Sequence, residues 1–90
     1  MAKAEISWKR ENAEGVRLQV YAHHVGDQWV FYARERRYDR WEVVADPPLD
    51  DWLELLDGVQ RRISRRLVRP EEEARIKKII RERFPEAVLE

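Results

Sequence analysis

Few residues in this chain have the types and spacing that covalent chemistry needs. The sequence has two serines, one asparagine, no threonine and no cysteine. Thiolate nucleophiles, disulfides and zinc–thiolate sites are therefore excluded. Ser7 falls in an expected strand and Ser64 on an expected helix surface, and neither lies on the glycine-flanked elbow that exposes a nucleophilic serine. The glycines stand alone at 15, 26 and 58, so no glycine-rich loop is available to cradle phosphate. His23 and His24 are neighbours in an expected strand, where adjacent side chains point to opposite faces and cannot both ligate one ion. Each is instead placed to pair with Asp27 at the strand end.

Asp50, Glu54 and Asp57 recur at helical spacing. Such carboxylates could hold Mg²⁺ or work as an acid/base pair. The first half of a helix also favours anions through its dipole, and Asp57 with Arg61 makes an ordinary i,i+4 ion pair. The dipole reading needs no ligand and is preferred. The sequence thus points away from an enzyme. It offers no catalytic, metal-ligating or cofactor-binding residue and no evident small-molecule substrate.

Two groups of residues suit binding. The first is a helix whose charge reverses along its length. Asp50, Glu54 and Asp57 precede Gly58, and Arg61, Arg62 and Arg65 follow it. On a helical wheel Gly58 falls opposite the apolar stripe, although glycine costs about 0.8 to 1 kcal/mol against alanine in a helix interior. An antiparallel copy crossing at Gly58 would set acid against base on both sides, as an isologous dimer requires. The second group is Tyr21 opposite Tyr32, framed by Arg17, Arg34 and Arg36, a platform on which unpaired bases could stack. Arg66 and Arg69, with Lys77, Lys78 and Arg81 on the next helix, form a basic corner suited to phosphate or an acidic partner.

The elements that position these residues follow from periodicity. Residues 6–10 read as a strand with Ile6 and Trp8 on one side. Val16, Leu18, Val20 and Ala22 alternate with Arg17, Gln19, Tyr21 and His23 in a second, half-buried strand. Gly26-Asp27 is a two-residue hairpin signal. It sets Val25 opposite Gln28, Tyr21 opposite Tyr32, Gln19 opposite Arg34 and Arg17 opposite Arg36. A slip of one residue would turn Tyr32 and Arg34 to the Val20 side. A tight turn at 37–40 leads into a last strand at 41–45 with Trp41, Val43 and Ala45 inward. Pro48 opens a helix to about residue 68, with Leu49, Trp52, Leu53, Leu56, Val59, Ile63 and Leu67 in one stripe. Pro70 opens a second helix to about residue 84. Its first turn carries Glu71, Glu72 and Glu73, and Ile76, Ile79, Ile80 and Phe84 form its apolar face.

The expected fold is α+β, an antiparallel meander of three or four strands followed by two helices on one face. The 90 residues suit one domain, with the sheet at about 5–46 and helices at about 48–68 and 70–84. Trp8, Trp29, Trp41 and Trp52 are expected to supply much of the core.

Basic and acidic residues balance at 18 each, but they segregate. Residues 1–41 have eight basic and six acidic side chains, and residues 42–57 have six acidic and none basic. Residues 58–84 have ten basic and four acidic side chains. The N-terminal residues lack the apolar segment of a secretory signal, and no run approaches a membrane span, so a cytoplasmic protein is expected. The function this sequence favours is a non-enzymatic interaction module, self-associating through the charge-segregated helix. Its rival is single-stranded nucleic-acid binding through the Tyr/Arg sheet face or the Arg-rich helix end.

Overall fold

A computed structural model describes residues 5–26 and 28–89. The elements run β1 (Glu5–Glu11), β2 (Arg17–Val25), β3 (Gln28–Arg34), β4 (Glu42–Val44), α1 (Leu49–Ser64) and α2 (Pro70–Arg83). The four strands form one antiparallel sheet in the order β1-β2-β3-β4, followed by two helices, so the α+β class holds. The chain divides into two compact units, the sheet up to Pro47 and the helix pair from Pro48 onward.

The sheet is built around two short turns. Asn12 shapes the first: its Oδ1 accepts the N–H groups of Glu14 and Val16, each at 2.9 Å. Gly15 completes that turn at φ 79°, a conformation only glycine adopts without cost. Gly26, at φ 58°, sits in the second turn and closes Val25 onto Gln28. The register is the one the two-residue loop dictates, with Tyr21 opposite Tyr32 and Gln19 opposite Arg34. The β2–β3 ladder ends at that last pair, and Arg17 is opposite Glu11 of β1 rather than Arg36. One sheet face carries Ile6, Val20, Ala22 and Phe31, all buried, with Trp8 set edge-on to Phe31 at 6.0 Å.

The last strand departs from expectation. Val44, not Val43, is opposite Phe31 on the buried face, and Val43 is opposite Tyr32 and exposed. The seven-residue connection between β3 and β4 is closed by Asp39. Its N–H donates to the Arg36 carbonyl at 3.0 Å, and its Oδ2 accepts the Arg36 N–H at 3.1 Å. That closure fixes a parity opposite to the one the apolar alternation suggests. Trp41 and Val43 therefore do not point inward. Nor do the four tryptophans dominate the core: only Trp52 is buried, while Trp8 and Trp29 are half-buried.

In the helix pair, Trp52, Leu55, Leu56 and Val59 of α1 and Ile76 and Ile80 of α2 are buried. The buried stripe of α1 is turned from the expected one. It also contains Asp51 and Gly58, while Leu53 and Leu67 are exposed. The two helices are joined through side chains as well, since Gln60 Nε2 donates to Glu73 Oε2 at 2.9 Å. The guanidinium of Arg83 lies over the Trp52 ring at 5.6 Å.

The first helix ends four residues earlier than expected. Leu67 N–H donates to the Arg62 carbonyl at 2.8 Å and Arg66 N–H to the Ile63 carbonyl at 2.9 Å. This pair of bonds is a Schellman stop, with Arg66 at φ 62° in the position usually given to glycine. Arg65, Arg66 and Arg69 therefore lie outside the helix.

Candidate aromatic site on the sheet

The sheet face opposite the buried one carries an aromatic cluster. Odd-numbered residues of β2 and even-numbered residues of β3 share it by register. Tyr21 and Tyr32 stack with ring centroids 4.8 Å apart and planes 21° apart. Trp41 meets Tyr21 edge-on at 4.6 Å. Arg34 lies over the Trp41 ring with its guanidinium carbon 4.1 Å from the centroid. Two further bonds hold Arg34, one from its Nε to Gln19 Oε1 at 2.8 Å and one from its Nη1 to the Asp39 carbonyl at 3.5 Å.

Trp41 is the residue that sequence reasoning misplaced. It stands 36 % exposed on the tyrosine face rather than in the core. The signal that could have found it is Asp39, three residues beyond Arg36, where a side chain can close a turn on its own backbone. A pivot there brings Trp41 beside Arg34.

Next to the cluster lies an open groove of about 530 Å³ along the first two strands. It is lined by Tyr21 and Trp41, by Ser7 between them and the sheet edge, and by Glu5, Trp8, Lys9 and Gln19. The groove exists because Ser7 is small and stands opposite Tyr21. Its ends carry opposite charges, Glu5 and Lys9. Burial pushes the Tyr21 phenol above its ordinary range, and charge repulsion from the Glu5 carboxylate and the ionisable phenol of Tyr32 adds to the rise. At neutral pH Tyr21 is thus a neutral hydroxyl that both donates and accepts.

The two histidines separate as adjacent strand residues must. His24 stacks on Trp29 at 4.5 Å on the buried side, while His23 Nδ1 lies 3.9 Å from Glu5 Oε2 on the tyrosine side. Their expected partner Asp27 lies outside the described residues. Among the described residues no three His, Asp or Glu side chains come together to hold a metal ion. No helix among them is long and apolar enough to cross a membrane.

The helix group fares differently. Asp50, Glu54, Asp57, Arg61 and Arg65 are exposed and Arg62 is half-buried. Gly58 is buried, so it does not offer an open crossing point for a second helix. Asp57 and Arg61 neutralise each other at 3.2 Å within α1, and Arg62 Nη1 donates to the Gly58 carbonyl at 3.3 Å. In the basic corner, Lys77 is held by Glu73 at 3.2 Å, whereas Arg66, Arg69, Lys78 and Arg81 are exposed. Arg17 and Arg36 are exposed, and the expected pairing between them is absent, because Arg17 is opposite Glu11. Comparison with known proteins finds no matching family, no similar curated protein and no similar solved structure.

Proposed function

We propose that this chain is a non-enzymatic binding module whose sheet face takes single-stranded nucleic acid. One observation carries the reading: Tyr21, Tyr32 and Trp41 form a single aromatic cluster beside an open groove, with Arg34 stacked at its edge. Every base has a π-face, so a base entering over Ser7 can stack on Tyr21 without sequence-specific contacts. Lys9 lines the groove and suits phosphate, as does the exposed Arg17 further along β2, and the neutral Tyr21 hydroxyl suits a base edge. Self-association through α1 has weaker support, because its central glycine is buried and one of its charge pairs is internal.

The test is anisotropy of a short labelled oligonucleotide at low salt. Replacing Tyr21 by alanine is expected to weaken binding by about 5- to 150-fold, equivalent to the ~1–3 kcal/mol of one base stack. Replacing Arg34 by alanine frees Trp41 and weakens binding further. Failure of the native chain to bind at low salt, or equal binding by the Tyr21→Ala chain, overturns the reading.

A further inference from the structure

We infer that β1 is a self-pairing edge, and that two copies of this chain join their sheets through it into one continuous antiparallel sheet. The inference does not depend on the nucleic-acid reading, since no ligand is needed for association.

β1 is an outer strand, paired with β2 on one side only among the described residues. Which of its backbone groups are available follows from the hairpin. Val25 and Gln28 flank a two-residue turn, and a pair in that position exchanges both backbone hydrogen bonds. Alternation then directs the backbone groups of Tyr21 and Gln19 toward β3 and those of Ala22, Val20 and Leu18 toward β1. The Asn12 N–H bond to the Val16 carbonyl at 2.9 Å continues that even-numbered set. On β1, Ile6, Trp8 and Arg10 are the partners facing β2. The N–H and C=O groups of Glu5, Ser7 and Lys9 therefore point outward, away from the sheet.

The side chains on those outward residues select one register. A two-fold axis perpendicular to the sheet keeps each face on its own side, so the opposed residues must have the same parity. Centring the pair on Ser7 sets Ser7 against Ser7 and Glu5 against Lys9, twice by symmetry. Ile6 then meets Trp8 on the other face. Centring on Trp8 would set Glu5 against Glu11, a like-charge pair that costs stability. Centring on Ile6 would set Glu5 against the neutral Ser7 and leave Glu5 and Lys9 with no charge pairing between them. Lysine on an edge strand normally discourages indiscriminate pairing. Here Glu5, four residues earlier, makes it a key for one partner.

Assembly also completes the groove. Val43, Tyr32, Tyr21 and Ser7 lie in one row across the sheet. The second copy extends that row through its own Ser7, Tyr21 and Tyr32. With strands about 4.8 Å apart, the two Tyr21 residues face each other across roughly 14 Å, over a floor of two serines. The half-groove of one chain thereby becomes a trough with aromatic walls on both sides.

Sedimentation of the full chain from low to high micromolar concentration tests this. A dimer is expected. Lys9→Glu shifts it to monomer, because Glu5 then meets a carboxylate, and adding Glu5→Lys to that chain restores the dimer. Ser7→Pro removes an outward N–H that β2 does not use, so it abolishes the dimer while leaving the circular dichroism spectrum and melting temperature near native. The chain has no cysteine, so Ser7→Cys introduces one thiol per copy. A directly opposed hydrogen-bonded pair has Cα atoms about 5.5 Å apart, within disulfide reach, so mild oxidation yields a covalent dimer while Val43→Cys does not. A native chain that stays monomeric at high micromolar concentration overturns the inference. So does a dimer indifferent to Lys9→Glu and Ser7→Pro.

Discussion

Arg66 shows how a single residue can end an element against its own preference. It occupies the left-handed region at φ 62°, where an L side chain costs about 1 to 2 kcal/mol. The Schellman bonds from Arg66 and Leu67 offset that cost by satisfying the last carbonyls of α1. Glycine makes the same bonds without steric penalty but loses more chain entropy, so Arg66→Gly is expected to stabilise the fold by about 0.5 to 1 kcal/mol. A urea titration reads this as a raised midpoint with unchanged slope. The β-branched Arg66→Val is expected to lower the midpoint. Nothing in the local sequence marks this stop, because the arginines around it are good helix formers and the apolar spacing runs on through Leu67. Trp41 was hidden for a related reason. Alternation assigned it inward, and only the closure by Asp39, a backbone matter, turns it outward.

At the level of elements, the legible parts were those fixed by local chemistry. Gly26 sets the central register, the two prolines set both helix starts, and alternation identifies the buried face of β2. What stayed illegible needed tertiary information: which side of α1 is covered, and hence that Asp51 and Gly58 are buried, cannot be read from a wheel with charges on both flanks. The joint between the two helices was equally invisible, since Gln60 and Glu73 are far apart in sequence. The Glu73 carboxyl is held below its ordinary range, first by the bond from Gln60 and then by Lys77. A depressed carboxyl contributes stability above its unfolded pKa, near the ordinary 4.5, and loses it as pH falls through the folded value. Glu73→Gln is therefore expected to melt below the native chain at neutral pH. The gap between the two melting temperatures should close as pH drops below the ordinary carboxyl range. A gap that is unchanged in acid would show that the joint does not depend on the charge.

For the whole molecule, the balance of 18 cations and 18 anions decides what kind of binding is available. A neutral chain has no long-range field to draw in a polyanion, so any nucleic-acid affinity must come from local contacts. The two candidate surfaces differ in how many cations they can set against phosphate. On the sheet face these are Lys9, Arg17 and Arg34; Arg34 is shared with Gln19 and Trp41, and the dimer sets Lys9 against Glu5 of the second copy. The basic corner presents Arg66, Arg69, Lys78 and Arg81, all exposed, with Arg65 beside them. Each phosphate neutralised on a single strand contributes about −0.7 to the slope of log affinity against log salt. Binding over the groove through two or three phosphates therefore predicts a slope of about −1.4 to −2.1. Engagement of the basic corner through five would give about −3.5. The shallow slope should also leave substantial affinity at high salt, because base stacking on Tyr21 is not screened. Measured on the native chain and on a chain with Arg66 and Arg69 both replaced by glutamine, an unchanged shallow slope assigns binding to the sheet. A steep slope that flattens in the variant assigns it to the helix corner and removes the groove from the account.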